Sequence, residues 1–403
     1  VASPSGHAKM NWLGAAAGTT ASPGTPIRTS DVIIDAPRYT WRKAFGLNAD
    51  WRVRPNSVLS ADFAYSDALA QTANVSRSAL SGSNPVPTIT VANGGVPLSF
   101  GRDYTIGATG RGNVDLSGNS VNRYERTHVG KLRYRFDDGD WRINATLSRS
   151  ASSAKVRGGS DGWVFSSLAG TLNLPVRVAY SDIAPVGKGD SPTVARAFFN
   201  DGREVDLNDI SNYRVTSATI SVRDITDDVS FGEASIRRRL GFLAFPAAVQ
   251  MGGLHRVRKR DSRIPASTFT HNGVGGNLSA APYQYQVYVN QDSGFGARNI
   301  SFINVGRASR AFKADPRLFS QTTAQVVAAA SSQITTSEYI RETASAFYAQ
   351  TEMQLLGNRL RLLTGVRYEK TKGDGQGPVF DPGAAFGRNA NGAFARNAQG
   401  QRS

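Results

Sequence analysis

The residues of this chain that could do chemistry are four histidines, a few glutamates and one acidic tetrapeptide. His7, His128, His255 and His271 are isolated from one another in sequence. A metal or haem site would show at least a pair at ligand spacing, so they read as structural. Residues 137–140, Asp-Asp-Gly-Asp, offer carboxylates without the spacing of a calcium loop. Asp-Gly between alternating segments is a turn signal instead. Glu338, Glu342 and Glu352 beside Arg341 bring glycosidase carboxylates to mind. Such a pair must sit about 5–9 Å apart, and nothing in the spacing sets that distance. The glycine-rich stretch 107–112 lacks the Lys-Ser/Thr of a phosphate loop and reads as flexible loop. No serine or aspartate has an evident histidine partner. No catalytic, cofactor or metal residue is therefore assigned, and no enzyme is expected.

The elements that would position side chains are more informative. In 41–53, Trp41, Lys43, Phe45, Leu47, Ala49, Trp51 and Val53 alternate with Arg42, Asn48, Asp50 and Arg52. That is the period of a half-buried strand. A turn at Arg54, Pro55 and Asn56 leads into a second alternating run. The pattern recurs at 123–150 around the Asp-Asp-Gly-Asp turn, where Leu132, Tyr134 and Phe136 oppose Arg133 and Arg135, and Trp141, Ile143 and Leu147 oppose Arg142. It recurs at 231–260 around a turn near 244–247, and at 338–371 around Gly357 and Asn358. A bulge is expected near Phe347, where alternation weakens. The hairpins are thus 40–66, 123–150, 231–260 and 338–371. The stretches 67–122, 151–229 and 261–336 read as long loops, with short strands expected at 32–34, 213–222 and 283–289. Asp315 and Pro316 predict a helix over 315–332.

Runs of roughly 10–16 residues suit tilted membrane-spanning strands. Structureless connections of such length are uncommon in compact soluble domains. Short turns at one end and long loops at the other are the layout of an outer-membrane barrel. In hydrocarbon only helices and closed barrels pair every backbone group, and no apolar run here is long enough for a spanning helix. Trp41, Trp51, Tyr65, Tyr124, Phe136 and Trp141 fall near strand ends, as aromatic girdles do. The expected fold is all-β: a partial transmembrane antiparallel β-barrel with long extracellular loops, 1–403 forming a fragment of a single barrel domain. A soluble β-sandwich or β-helix is the competing reading.

The chain has 403 residues, 40% hydrophobic, with net charge +16, a pI of about 10.3 and a mean hydropathy of −0.32. A basic balance can mean nucleic acid. Here the basic residues are scattered along strands rather than gathered on a helix, and 38 Arg stand against 9 Lys. Lumen-facing arginine or contact with anionic lipid accounts for them equally well, and no nucleic-acid partner is expected. Without cysteine there is neither disulfide scaffold nor thiolate metal site. No signal peptide is evident and both ends read as cut, so a piece of a longer protein is expected.

At 342–371 the likeness becomes specific. Tyr348-Ala349-Gln350 precedes a short turn, then Asn358-Arg359-Leu360 and Gly365-Val366-Arg367-Tyr368-Glu369. This resembles the barrel of TonB-dependent outer-membrane receptors. As motif the resemblance covers about 30 residues; as architecture it covers most of the chain. It implies a barrel of about 22 strands around a plug in the outer membrane of a Gram-negative-type bacterium. It also implies energy-coupled uptake of a bulky solute such as a siderophore, haem, cobalamin or oligosaccharide. The implied partners are a TonB-type energy-coupling protein, the solute, and outer-membrane lipid and lipopolysaccharide. The chain departs from the family in having no evident plug, coupling box or final aromatic-ended strand. Its strands number about half of a full barrel, so the coupling partner would act through a region absent here. Arg133, Arg135, Arg142, Arg361, Arg367 and Glu369 are expected to face the lumen or plug. Tyr283, Tyr285 and Tyr288 are candidate loop contacts to solute. No cofactor is expected. The alternative is a passive porin or a structural outer-membrane barrel.

Overall fold

Alternation of apolar and polar residues stabilises a sheet only where neighbouring strands keep step, and here they do so over long ladders. The structure is a computed structural model that describes residues 5–11, 25, 27–82, 97–159, 163–183, 194–273, 275–289 and 299–378, with 387, 389, 391–393 and 395–397. The first strands are β1 (Ser5–Asn11), β2 (Ile27–Asp35), β3 (Arg38–Arg54), β4 (Ser57–Leu80), β5 (Ser99–Phe100) and β6 (Thr105–Ile106). Next come β7 (Asn113–Asp137), β8 (Trp141–Gly158), β9 (Ser167–Leu172), β10 (Arg177–Ser181), β11 (Val194–Phe198), β12 (Glu204–Val205) and β13 (Tyr213–Ser221). The remainder are β14 (Arg223–Arg239), β15 (Ala247–Arg263), β16 (Ala266–His271), α1 (Val305–Ala314), β17 (Phe319–Ser320), α2 (Thr323–Thr335), β18 (Ser337–Leu355) and β19 (Leu360–Gln376).

The wall is the antiparallel run β3-β4-β7-β8-β14-β15-β18-β19. It forms a curled partial barrel, and each of the four hairpin stretches read from sequence contains one of its pairs. Their turns lie at one end. Asp138 holds the second turn by accepting from the amides of Asp140 (3.0 Å) and Trp141 (2.7 Å). Gly139 supplies the positive φ that this turn requires. β3 pairs with β4 alone and β19 with β18 alone, so among the described residues the wall is open at both sides.

The register sets the tilt. Ser57, Phe136, Ile143, Ile236, Met251, Ala349 and Val366 form one row of partners from β4 to β19. On β4 this row closes the hairpin, whereas β19 runs six residues further, from Val366 to Leu360. Six strand steps separate β4 from β19, so the stagger is one residue per strand. At about 3.3 Å per residue and 4.8 Å per strand, that tilts the strands by roughly 35° from the barrel axis.

Several strands outrun the sequence reading. β4 and β7 stay paired as far as Leu80 and Asn113, so 67–80 and 113–122 of the stretch read as loop are strand. β9, β13 and β16 prolong the ladders of β8, β14 and β15 inside the stretches read as loops. The region 32–34 belongs to the longer β2. No register shift occurs at Phe347, which corrects the expected bulge. Residues 283–289 form no strand; Pro282 starts one 3-10 turn, Ala281–Tyr283, and Gln286–Tyr288 forms another. The helix expected over 315–332 is also corrected. Asp315 caps only the 3-10 turn Pro316–Leu318, and burial of Leu318 and Phe319 draws the chain out into β17. The true start of α2 is Thr322, whose side chain forms a reciprocal capping box with Gln325.

Among the described residues the packed core lies at the long-loop end. Val114, Leu116, Leu168, Val178, Tyr180 and Tyr213 are sealed there, between the prolonged sheet, α1 and a small sheet ordered β12-β11-β10-β6-β5. Each such side chain contributes about 1.5–3 kcal/mol through burial. Residues 107–112 serve this packing. A Cβ on Gly107 would stand 2.7 Å from the carbonyl oxygens of Ser81 and Val178, so glycine permits close backbone approach rather than phosphate binding.

Candidate functional site

Continuous register sorts the wall residues into two faces. Arg133 and Arg135 of β7 and Arg142 of β8 share one face with Arg237, Gln250 and Gln350. The ladder carries that face on to Arg361, Arg367 and Glu369 of β19. All six residues expected at the lumen therefore lie on one side of the sheet. This is the concave side: Arg237 of β14 reaches Glu352 of β18 at 3.4 Å, over the intervening β15. Crowding agrees, since Ala344 and Ala346 are buried on this face while Val366 on the other is 76% exposed.

The concave face is a lattice of guanidinium and carboxylate. Glu352 accepts from Arg361 at 2.7 Å as well as from Arg237. Arg256 meets Glu342 and Arg258 meets Asp227, each at 2.6 Å. Arg133 lies 3.6 Å from Asp62, which also binds Asn48. Arg142 pairs with Asp137 at 2.7 Å and Arg367 with Glu369 at 2.8 Å. Charge-assisted bonds of this kind persist where water still reaches both partners. Sequence reading missed Asp62, Asp227, Arg237, Arg256 and Arg258, although the alternation of 231–260 held the signal for three of them, Arg237, Arg256 and Arg258.

The convex face is oily over a limited height. On β19, Leu360, Leu362, Thr364, Val366 and Tyr368 point outward before Lys370 appears. On β8, Trp141, Ile143, Ala145 and Leu147 precede Arg149. Leu147 is 64% exposed and Trp51 65%. At the derived tilt the nine residues on β19 stand about 24 Å tall and the seven on β8 about 19 Å, against the roughly 25 Å apolar band of an outer-membrane barrel. Trp51, Phe136 and Trp141 lie at the turn end of this band, and Trp41, Tyr65 and Tyr124 toward its other edge.

At the long-loop end the tyrosines do not behave as one group. Tyr283 is 3% exposed, with Oη 3.0 Å from His271 Nε2, inside an aromatic cluster with Phe319. Its expected contact to solute is thereby corrected, because its ring faces protein. Burial pushes the Tyr283 hydroxyl up and the His271 imidazole down. Tyr285 is half-buried, packed against Ile300 and Phe302. Tyr288 closes the second 3-10 turn. A loop pocket of about 400 Å³ lies elsewhere, lined by Tyr104, Arg177, Arg196 and Phe198. Both guanidiniums cover the Phe198 ring, at 4.9 and 5.1 Å. Glu204 neutralises Arg196, whose hydrogen bonds hold the Glu204 carboxyl below its usual range.

The other residues singled out by type stay apart. The His128 ring lies 5.0 Å from that of Tyr65 and tilted to it, and His255 Nδ1 meets Ser345 Oγ at 2.9 Å. The side chain of His7 lies outside the described residues. Among the described residues no three metal-ligating side chains converge. Glu342 and Glu352 stand ten residues apart on one strand, each committed to arginine, while Arg341 faces the other way. No pair of them is set for acid–base work.

No family model matches the chain, and no curated protein matches it. Among solved structures, OccK11 (OpdR) of Pseudomonas aeruginosa aligns over 86% of this chain and 96% of its own at 8% identity. The TM-score of 0.07 makes it a superposition that carries no argument.

Proposed function

We propose that this chain is part of the wall of an outer-membrane receptor that takes up a bulky solute by energy-coupled transport. One observation carries the membrane half of the reading: an uncovered apolar band about 19–24 Å tall on the convex face, backed by a charged concave face. Water on both sides would leave a large oily surface without a partner. Hydrocarbon outside and a wet lumen inside satisfy both faces at once. The energy-coupled half is supported by the likeness of 342–371 to TonB-dependent receptors. In that reading the Arg–Glu lattice lines the lumen, a TonB-type protein supplies energy, and the long-loop end meets solute.

Val366 lies in the loop-side half of the band, two residues beyond its middle at Thr364, and Arg367 beside it faces inward. In vesicles, Val366→Arg should destabilise the folded barrel by about 1–3 kcal/mol, while Arg367→Ala should change stability little. Equal effects in denaturant titrations, or a monomer stable in water without detergent, would overturn the membrane reading. Solute uptake should stop when the TonB-type partner is deleted. Uptake that continues favours the second reading, a passive porin.

A further inference from the structure

We propose that the small sheet at the long-loop end binds an aromatic carboxylate: one planar anion carried on a flat apolar ring, free or as an arm of a larger solute. The inference rests on the uptake reading and narrows its solute to that class. β10 turns Val178 and Tyr180 toward the packed core and leaves Arg177, Ala179 and Ser181 on the sheet's other face. Arg177 pairs in register with Phe198, and Ala179 with Arg196 on one side and Ile106 on the other. Ala179, with a single methyl group, thus opens the cavity of about 400 Å³ between larger neighbours. The two guanidiniums there are not equivalent. Arg196 is engaged, its Nε and Nη2 donating to the two carboxylate oxygens of Glu204. Arg177 has no carboxylate in contact among the described residues, and its Nε is covered by protein without a hydrogen-bond partner. A shielded donor of this kind asks for an acceptor. The next carboxylate along β10, Asp182, accepts from Ser181 at 3.1 Å. That is four residues beyond Arg177, about 13 Å away along the strand.

The charge and the walls together define the occupant. One uncompensated guanidinium, held flat on a ring, offers a fork that matches a carboxylate. A phosphate dianion would require a second free cation, and Glu204 has taken Arg196. The rest of the lining is Ile106, Val194, Phe198 and the Tyr104 ring. Its hydroxyls are already matched: Tyr104 Oη lies 3.0 Å from Ser99 Oγ, and Ser181 Oγ donates to Asp182. A sugar acid would bury its own hydroxyls there without partners. A flat ring instead stacks against Phe198 and Tyr104 and buries apolar surface.

The test titrates benzoate into the full chain folded in non-ionic detergent and reads binding by saturation-transfer NMR. Benzoate should bind. Benzamide, glucuronate and inorganic phosphate should each bind at least about tenfold more weakly. Arg177→Gln should cost a similar factor, and Ala179→Leu should abolish binding by filling the cavity while the charge stays. Glu204→Gln releases Arg196 and should tighten benzoate several-fold, a gain that a damaged fold cannot give. Absence of benzoate binding, benzamide equal to benzoate, a preference for glucuronate or phosphate, unchanged affinity in Arg177→Gln, or no tightening in Glu204→Gln would each overturn the site. All of these leave the uptake reading standing, since that is decided separately by deletion of the TonB-type partner.

Discussion

Glu352 shows how the concave face is held. It sits between Arg237 and Arg361, on two different strands, and is mostly screened from solvent. Glu352→Gln keeps the shape and removes the charge that both guanidiniums use. A loss of about 1 kcal/mol is expected, above the usual exposed pair because two contacts fail together. A urea titration in vesicles measures it, and the loss should vanish when Arg237 and Arg361 are already alanine. His271 makes the opposite case, a titratable group held neutral by burial. Its folded pKa lies below the unfolded value of 6.5, so the unfolded chain takes up the proton first. The stability it contributes is present above pH about 6.5 and lost as pH falls through the lowered folded value. Hydrogen-exchange protection of β16 should fall in acid, and His271→Gln should flatten that dependence.

At the scale of elements, the last hairpin carries visible strain. Leu356, Gly357 and Asn358 take positive φ in succession, at 52°, 64° and 67°. Glycine and asparagine adopt this region readily and leucine does not. Leu356→Gly should therefore stabilise the hairpin by about 0.5–1 kcal/mol, read as a higher denaturant midpoint with unchanged slope. The strands that cross the wall were legible because one face is oily and the other wet, so Leu360 to Tyr368 alternate plainly. Beyond the wall both faces are partly covered by protein, and the contrast fades. Val114 and Leu116 keep period two, but with Asp115 between them and Ser117 and Gly118 after them they read as polar loop. Tyr283 and its neighbours mimic a strand by composition alone, while Pro282 and the pull of the aromatic cluster turn the chain instead. Sequence spacing placed the six lumen candidates on one face. It could not reveal that Arg237 reaches over a strand to Glu352, because curvature brings them together.

For the molecule as a whole, the open flanks of β3 and β19 are the dominant fact. Unpaired amides along a strand edge are costly in hydrocarbon and sticky in water. Completion of the cylinder by further strands removes both problems. In native outer membranes, hydrogen exchange at residues 41–51 and 360–370 should be as slow as at 143–155, where both neighbours are present. Rapid exchange confined to the two flanks would mean that the wall stays open and would defeat the closed-barrel reading.

The offset of one residue per strand limits how such a wall can grow. When a sheet curls round to meet itself, the seam must join with an even shift, because an odd one would set every oily side chain against the lumen. A hairpin adds two strands and two residues of slip together, preserving both chain direction and side. A single inserted strand preserves neither. Enlargement or shrinkage of this wall should therefore proceed by whole hairpins, and deletion of β18 alone should be far more damaging than deletion of β18 and β19 as a unit.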